Sequence, residues 1–266
     1  MGVSMLTSQR AFLGVSVLLF AASAAGTIVW CASMSAMGAM PMPGGWTMSM
    51  AWMRMPGQTW PDAAGVFLGM WVVMMVAMML PSLVPMLWRY RLAVGRVGEP
   101  RLSQLTALVG AGYFFVWAVF GLAVFALGVA LAAVEMQVEA FARAVPVVTG
   151  VVVLISGALQ FTSWKARHLA CCREALGCGR MLSASSADAG AAWRYGLRLG
   201  LHCVHCCAGL TTILLAIGVM DLRAMAVVTT AITVERLAPH GERVARVIGA
   251  VVVTAGVFLI GRAVGL

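Results

Sequence analysis

The hydrophobic positions of this chain fall in long unbroken runs rather than in alternating or helical stripes. A run of about 20 apolar residues is long enough to cross a bilayer as an α-helix. Backbone groups cannot stay unpaired in hydrocarbon, and barrel strands would show short alternating segments, so these runs predict helices. The predicted spans are residues 12–31, 64–88, 105–133, 145–164, 196–219, 222–237 and 247–264. The sequence therefore predicts an all-α fold, a polytopic transmembrane helix bundle of about seven spans, as one integral membrane domain over residues 1–266.

Two connecting segments are long enough to have features of their own. Residues 32–62 contain eight methionines among proline, glycine and tryptophan, without a clear period. Because proline and glycine break regular structure, we expect an irregular methionine-rich loop. Residues 165–194 form a polar loop that carries histidine and cysteine. In span one, Ala22-Ser23-Ala24 resembles a signal-peptide cleavage site, but the apolar run continues past it, which favours an uncleaved span.

The charges predict the orientation of the spans. Only 10% of the residues are charged, against about 25% in soluble proteins, and the net charge is +9. If the N-terminus is cytoplasmic, seven spans place 14 of the 18 Lys and Arg residues inside, as the positive-inside rule requires. This bias explains the basic charge without nucleic acid. It places the methionine-rich loop outside a bacterial inner membrane and the Cys/His loop in the cytoplasm. A re-entrant hairpin over residues 196–237 would instead move the C-terminus inside.

The fifth span holds the densest chemistry of the chain. Six of the seven cysteines lie between residues 171 and 207, a spacing that suits metal or redox chemistry better than a disulfide framework. The candidate ligands of the span are His202, Cys203, His205, Cys206 and Cys207. On a helix the three cysteines and the first histidine share an arc of about 140°, and the second histidine lies on the other flank. Thiolate and imidazole suit Cu(I) and Zn(II), so metal binding is favoured over thiol redox chemistry and over simple packing.

The polar loop adds further donors. Its candidate ligands are His168, Cys171 and Cys172. Their spacing repeats that of the three cysteines in span five. In both stretches one donor is followed by two other residues and then by two consecutive cysteines. One helix offers only two or three ligands to an ion, so we expect this loop or span two to complete the site. The alternative is that these are exposed thiols, which the cytosol keeps reduced.

The methionines form a second set of soft donors. The chain has 20, and the thioether is a neutral ligand suited to Cu(I). The candidate ligands in span two are Met74, Met75, Met78 and Met79. Methionine also fills gaps in cores, so packing is the alternative for this span. Thioethers outside and thiolates inside suit a soft monovalent ion. Copper(I) is therefore the expected cargo, with zinc as the alternative.

Four stretches together resemble a known family. They are residues 74–81, residues 160–165 followed by Cys172-Arg173, residues 200–207, and Glu235-Arg236. The chain resembles an uncharacterised bacterial family of predicted metal-binding integral membrane proteins, over most of its length, and the resemblance implies metal binding. It departs from the pattern at Ser163-Trp164, where Pro-Leu is usual, and at Ala208, where a Trp is common. We expect Glu235 and Arg236 to form a local ion pair at the membrane interface.

These observations predict a membrane copper-binding protein that assists metal transfer to a periplasmic or membrane metalloprotein. The three cysteines of span five and His202 would be the core ligands, and the methionines of span two an entrance or relay. Two alternatives stay open, a thiol–disulfide oxidoreductase and a haem protein that uses His202 or His205. The chain has no nucleotide-binding Walker A motif and no hydrolase or metalloprotease motif, which excludes an ATP-driven pump. A catalytic activity is not predicted, and the sequence does not predict the oligomeric state.

Overall fold

The computed structural model describes residues 2–36, 38, 40–94, 98–173 and 188–265. It is 86% helical, which confirms the predicted all-α fold. The helices of this described part are α1 (Gly2–Ala36), α2 (Trp60–Val94), α3 (Glu99–Gln137), α4 (Glu139–Leu159), α5 (Ser163–Arg173), α6 (Ala189–Ile217), α7 (Leu222–Leu237) and α8 (Gly241–Ala263).

Six helices of the described ranges are long and apolar enough to cross a membrane. They are α2, α3, α4, α6, α8 and the Gln9–Ala36 part of α1. Large apolar side chains such as Leu18 and Val251 are exposed on the outer surface, whereas Lys165 and Glu235 are buried inside. This arrangement is the one that a bilayer favours. The predicted sixth span, α7, has 16 residues and is shorter than a usual span of about 20, so the count of seven and the cytoplasmic N-terminus stay predictions.

The predicted loop between spans three and four is wrong, because the chain is helical almost throughout this region. Only Val138, with extended backbone angles (φ −119°, ψ 94°), separates α3 from α4. The charged residues between these two predicted spans lie in helices instead, Glu135 in α3 and Glu139 and Arg143 in α4. Arg143 and Glu139 form an ion pair one turn apart in the first turns of α4. The predicted end of span four at residue 164 is also wrong, since α4 ends at Leu159 and α5 begins after a turn.

The predicted polar loop over residues 165–194 is helical at both ends. Helix α5 extends to Arg173, and α6 begins at Ala189, earlier than predicted. The Asp188 carboxylate explains this early start, because it accepts hydrogen bonds from the backbone N–H groups of Gly190 (3.1 Å) and Ala191 (3.3 Å) and so caps the helix. Residues 174–187, which include Cys178, lie outside the described residues.

The methionine-rich segment is more regular than predicted. Strands β1 (Met40–Met42) and β2 (Trp46–Met48) pair antiparallel. Gly44 makes the turn with a φ of 99°, which glycine adopts without strain. A 3₁₀ turn follows at Met50–Trp52. The Trp46 indole N–H donates to the Ala142 carbonyl at 2.9 Å, which attaches the hairpin to α4.

Helices α3 and α6 approach closely because glycines line their contact. A Cβ at Gly200 would lie 2.9 Å from the carbonyl oxygen of Tyr113, and a Cβ at Gly112 would lie 2.8 Å from that of Trp193. Such small residues let helix backbones come together in membranes. The close contact places the Tyr113 side chain of α3 against the cysteine face of α6.

Candidate metal centre

The three cysteines of α6 face the interior of the bundle. Cys203, Cys206 and Cys207 are 0%, 2% and 1% exposed. All three are free thiols, and the sulfur atoms of Cys203 and Cys207, one helical turn apart, are separated by 3.7 Å. This burial removes the thiols from water and leaves them in contact only with protein groups.

Cys203 is the centre of this cluster, with four neighbours from four helices. Besides Cys207, the Sδ atom of Met79 in α2 lies 4.0 Å from the Cys203 sulfur. The Tyr113 hydroxyl of α3 donates to that sulfur at 2.9 Å, and the Arg236 guanidinium of α7 donates at 3.3 Å. Two hydrogen-bond donors and two other sulfur atoms therefore surround one thiol.

Helix α5 brings a fourth thiol to the cluster. Cys172 is fully buried and interacts with the side chain of Cys206. Its neighbour Cys171 is disulfide-bonded, so in this state Cys171 has no thiolate to offer. Of the donors predicted in the polar segment, Cys172 is the one that lies beside the thiols of α6.

A buried ion pair lies beside Cys206, and sequence reasoning did not predict it. The Lys165 ammonium of α5 donates to a Glu235 carboxylate oxygen and to the Cys206 carbonyl, each at 2.7 Å. Both charged side chains are almost fully buried. The predicted local pair of Glu235 with Arg236 at the interface is wrong, because consecutive residues of a helix face different directions. Glu235 reaches α5, and Arg236 reaches α2 and α6.

Arg236 is buried, at 3% exposed, and its contacts are all to neutral or sulfur groups. Besides the Cys203 sulfur, its guanidinium donates to Ser82 Oγ at 2.8 Å and to Met86 Sδ at 3.3 Å. No carboxylate of the described residues lies within ion-pair distance of it. A buried cation is costly unless an anion accompanies it. The sulfur of Cys203, as a thiolate, is the nearest group that can serve as this anion.

The predicted histidine ligands form a separate group on the outer side of α5 and α6. The His168 ring lies 5.2 Å from the His205 ring and 6.1 Å from the His202 ring, centre to centre. Burial lowers the pKa of His168, and the neighbouring charges of His205 and His202 lower it further. Its imidazole is therefore neutral at pH 7. One ring nitrogen of His205, Nδ1, lies 2.7 Å from the Leu201 carbonyl. No hydrogen bond among the described residues joins these rings to the thiols.

The four predicted methionine ligands of span two are all buried. Of these, Met79 lies beside the Cys203 sulfur. The other three, Met74, Met75 and Met78, belong to the hydrophobic core. Sequence reasoning also missed Tyr113 and Met86, since neither residue stands out in the sequence. Lys165 and Arg236 belong to the stretches that carry the family resemblance, but no role followed from it.

The donor set limits the kind of ion that it could hold. Among the described residues, no group of three or more His, Cys, Asp or Glu side chains has a metal-binding arrangement. Two sulfur ligands that each bind an ion at about 2.3 Å can be at most about 4.6 Å apart. The 3.7 Å between Cys203 and Cys207 and the 4.0 Å between Cys203 and Met79 satisfy this limit. Each of these two pairs of sulfur atoms is therefore close enough to bind one soft ion between them.

One comparison with known proteins gives a match. Residues 68–259, well over half of the chain, match the family model described as PpoB2, copper chaperone. The match includes the cysteine face of α6, helix α5 and the Glu235-Arg236 pair. It agrees with the metal-related resemblance drawn from the sequence. No curated protein and no solved structure matches the chain.

Proposed function

The chain belongs to the PpoB2 copper chaperone family, and from this membership we propose that it is a membrane-embedded chaperone for copper(I). The ion would bind between Cys203, Cys207 and Met79 and would then pass to a metalloprotein in the membrane or the periplasm. The observation that carries this proposal is the buried sulfur cluster around Cys203. The sulfur atoms of Cys207 and Met79 both lie within 4.0 Å of the Cys203 sulfur. Thiolate and thioether are the ligands that copper(I) prefers.

The charges around the cluster support a monovalent cargo. Lys165 and Glu235 neutralise each other, which leaves Arg236 as the uncompensated charge. Two thiolates with Cu(I) carry a net charge of −1, which Arg236 balances. The same thiolates with Zn(II) are neutral and would leave the guanidinium without a counter-charge. Structural zinc sites also use four thiolate or imidazole ligands, more than the two thiolates and one thioether assigned to the ion here.

Transfer requires ligands that can replace one another. Cys206 and Cys172 form a second thiol pair next to the first, on the side of α5. An ion that exchanges Cys203 for Cys206 would move toward this helix without leaving sulfur ligands. We assign the pair of Cys206 and Cys172 to this exchange. The half-exposed His168 and His202 then lie on the outer side of the same two helices.

The experiment that tests this function is a copper count on the purified full chain in detergent, under anaerobic reducing conditions. The variant in which Cys203, Cys206 and Cys207 are all replaced by Ser should bind one equivalent of Cu(I) less than the wild type. Thr211→Ser is the control, because it places a serine at another buried position of α6 without removing a sulfur atom, and it should keep the copper content of the wild type. An unchanged copper content in the triple variant would refute the proposal.

A further inference from the structure

A cavity of about 290 Å³ lies where the end of α1, the methionine-rich segment, the start of α2 and the turn after α6 meet. Six methionines line it: Met34, Met50, Met53, Met55, Met70 and Met220. No charged side chain is among the residues that line it in the described part of the chain. The cavity is therefore a neutral space in which six thioether sulfur atoms are the soft metal donors.

The convergence of these methionines is not expected from packing alone. They come from four separate places in the chain, and all of them except Met70 stay partly exposed, so they do not fill a closed core. Beside the cavity, the thiol of Cys31 lies 4.0 Å from the Met220 sulfur, so a soft donor of another type adjoins the methionines. The methionine side chain has three rotatable bonds, which lets several sulfur atoms turn toward one point.

We propose that this cavity is a second soft-metal site, separate from the thiol cluster, that binds a monovalent cation such as Cu(I) or Ag(I) through thioethers. Neutral thioethers select soft ions. The described lining holds no carboxylate, imidazole or thiol side chain, which disfavours Ca²⁺, Mg²⁺ and Zn²⁺. Helix α2 connects the two sites. Met70 lines the cavity and Met79 touches Cys203, nine residues or about 13 Å further along the helix.

The site can be tested with Ag(I), an air-stable monovalent probe. The background is the full chain with Cys203, Cys206 and Cys207 replaced by Ser, so that failure of the thiol site cannot affect the result. In this background, replacing Met34, Met50, Met53 and Met55 by Leu should remove one equivalent of bound Ag(I). Leucine keeps the apolar volume and removes only the sulfur. Helicity and thermal unfolding in detergent establish that each variant is folded.

Met40→Leu together with Met42→Leu is the matched control, because both methionines lie in the hairpin of the same segment and do not line the cavity. The control should retain its Ag(I). Equal Ag(I) in all three proteins, or an equal loss in the control, would overturn the proposal. If the fourfold variant does not fold, Met220→Leu alone should weaken Ag(I) binding at least tenfold, and unchanged affinity would overturn the proposal as well.

Discussion

Replacing Arg236 by Leu is the sharpest test of the charge balance around the thiols. Leucine is apolar and offers no sulfur to a metal ion, so it removes the guanidinium and fills part of the space without adding a ligand. The Cys203 sulfur would lose its cationic partner, and Ser82 and Met86 would lose a donor. A bis-thiolate complex with Cu(I) would then carry a buried negative charge without compensation.

The size of the effect follows from the distance. Two unit charges 3.3 Å apart, as Arg236 Nη1 and Cys203 Sγ are, attract by about 5 kcal/mol at an effective dielectric constant of about 20. Relaxation of the site and entry of water reduce this figure. If half of it remains, Cu(I) affinity falls by about 2.5 kcal/mol, which is roughly 50- to 100-fold. Affinity for Cd(II), whose bis-thiolate complex is neutral, should fall less or rise.

The assay is competition for Cu(I) between the protein and a chromogenic chelator. The binding measured for the triple Cys-to-Ser variant is subtracted, so that only binding at the thiol cluster is compared. Arg236→Lys keeps the charge but cannot reach Ser82, Cys203 and Met86 together, so it should recover most of the affinity. Arg243→Leu makes the same substitution at an exposed arginine of α8 and should have no effect. If Arg236→Leu binds Cu(I) as tightly as the wild type does, the charge-balance argument is refuted.

Two further predictions concern the framework of the site. Lys165→Met should destabilise the fold by about 3–5 kcal/mol, because it leaves the buried Glu235 carboxylate unpaired. The double variant that also carries Glu235→Gln should recover much of this stability. Denaturation in detergent measures both variants. Gly200→Ala should destabilise the fold by about 1–3 kcal/mol, because its Cβ would meet the Tyr113 carbonyl. Gly110→Ala has open space around it and alanine favours the helix, so this variant should keep or raise the melting temperature. Equal melting temperatures for the two variants would contradict the close contact between α3 and α6.

The sequence predicted the helical class and the residues that form the thiol cluster, and the reason is physical. Unbroken apolar runs have few structural solutions in a bilayer. Helical spacing alone places Cys203 and Cys207 one turn apart on the same face. These features depend on local chain geometry, so they can be read without knowledge of the tertiary structure.

The partners of the thiols could not be predicted, because they depend on how distant segments pack. Tyr113 and Arg236 reach Cys203 from helices far apart in the sequence, and Lys165 reaches Glu235 in the same way. The ends of the predicted spans were placed wrongly around α4 and α5, because these helices continue through charged residues such as Arg143 and Lys165. The histidines were assigned with the cysteines on sequence proximity, whereas a helix turns neighbouring residues to different faces.

The nearly complete burial of the α6 thiols has a kinetic consequence. If the ion binds at these thiols as proposed, a chelator in bulk solvent would not reach it unless the protein opens locally. The residence time of the ion would then depend on how often the helices part, and it would not shorten as the chelator concentration rises. A recipient protein that separates α5 from α6 when it binds would receive the ion quickly. Small thiols of the cell cannot separate the helices, so they would not remove it. Selective delivery would thus come from kinetic protection and not from the tightest possible binding.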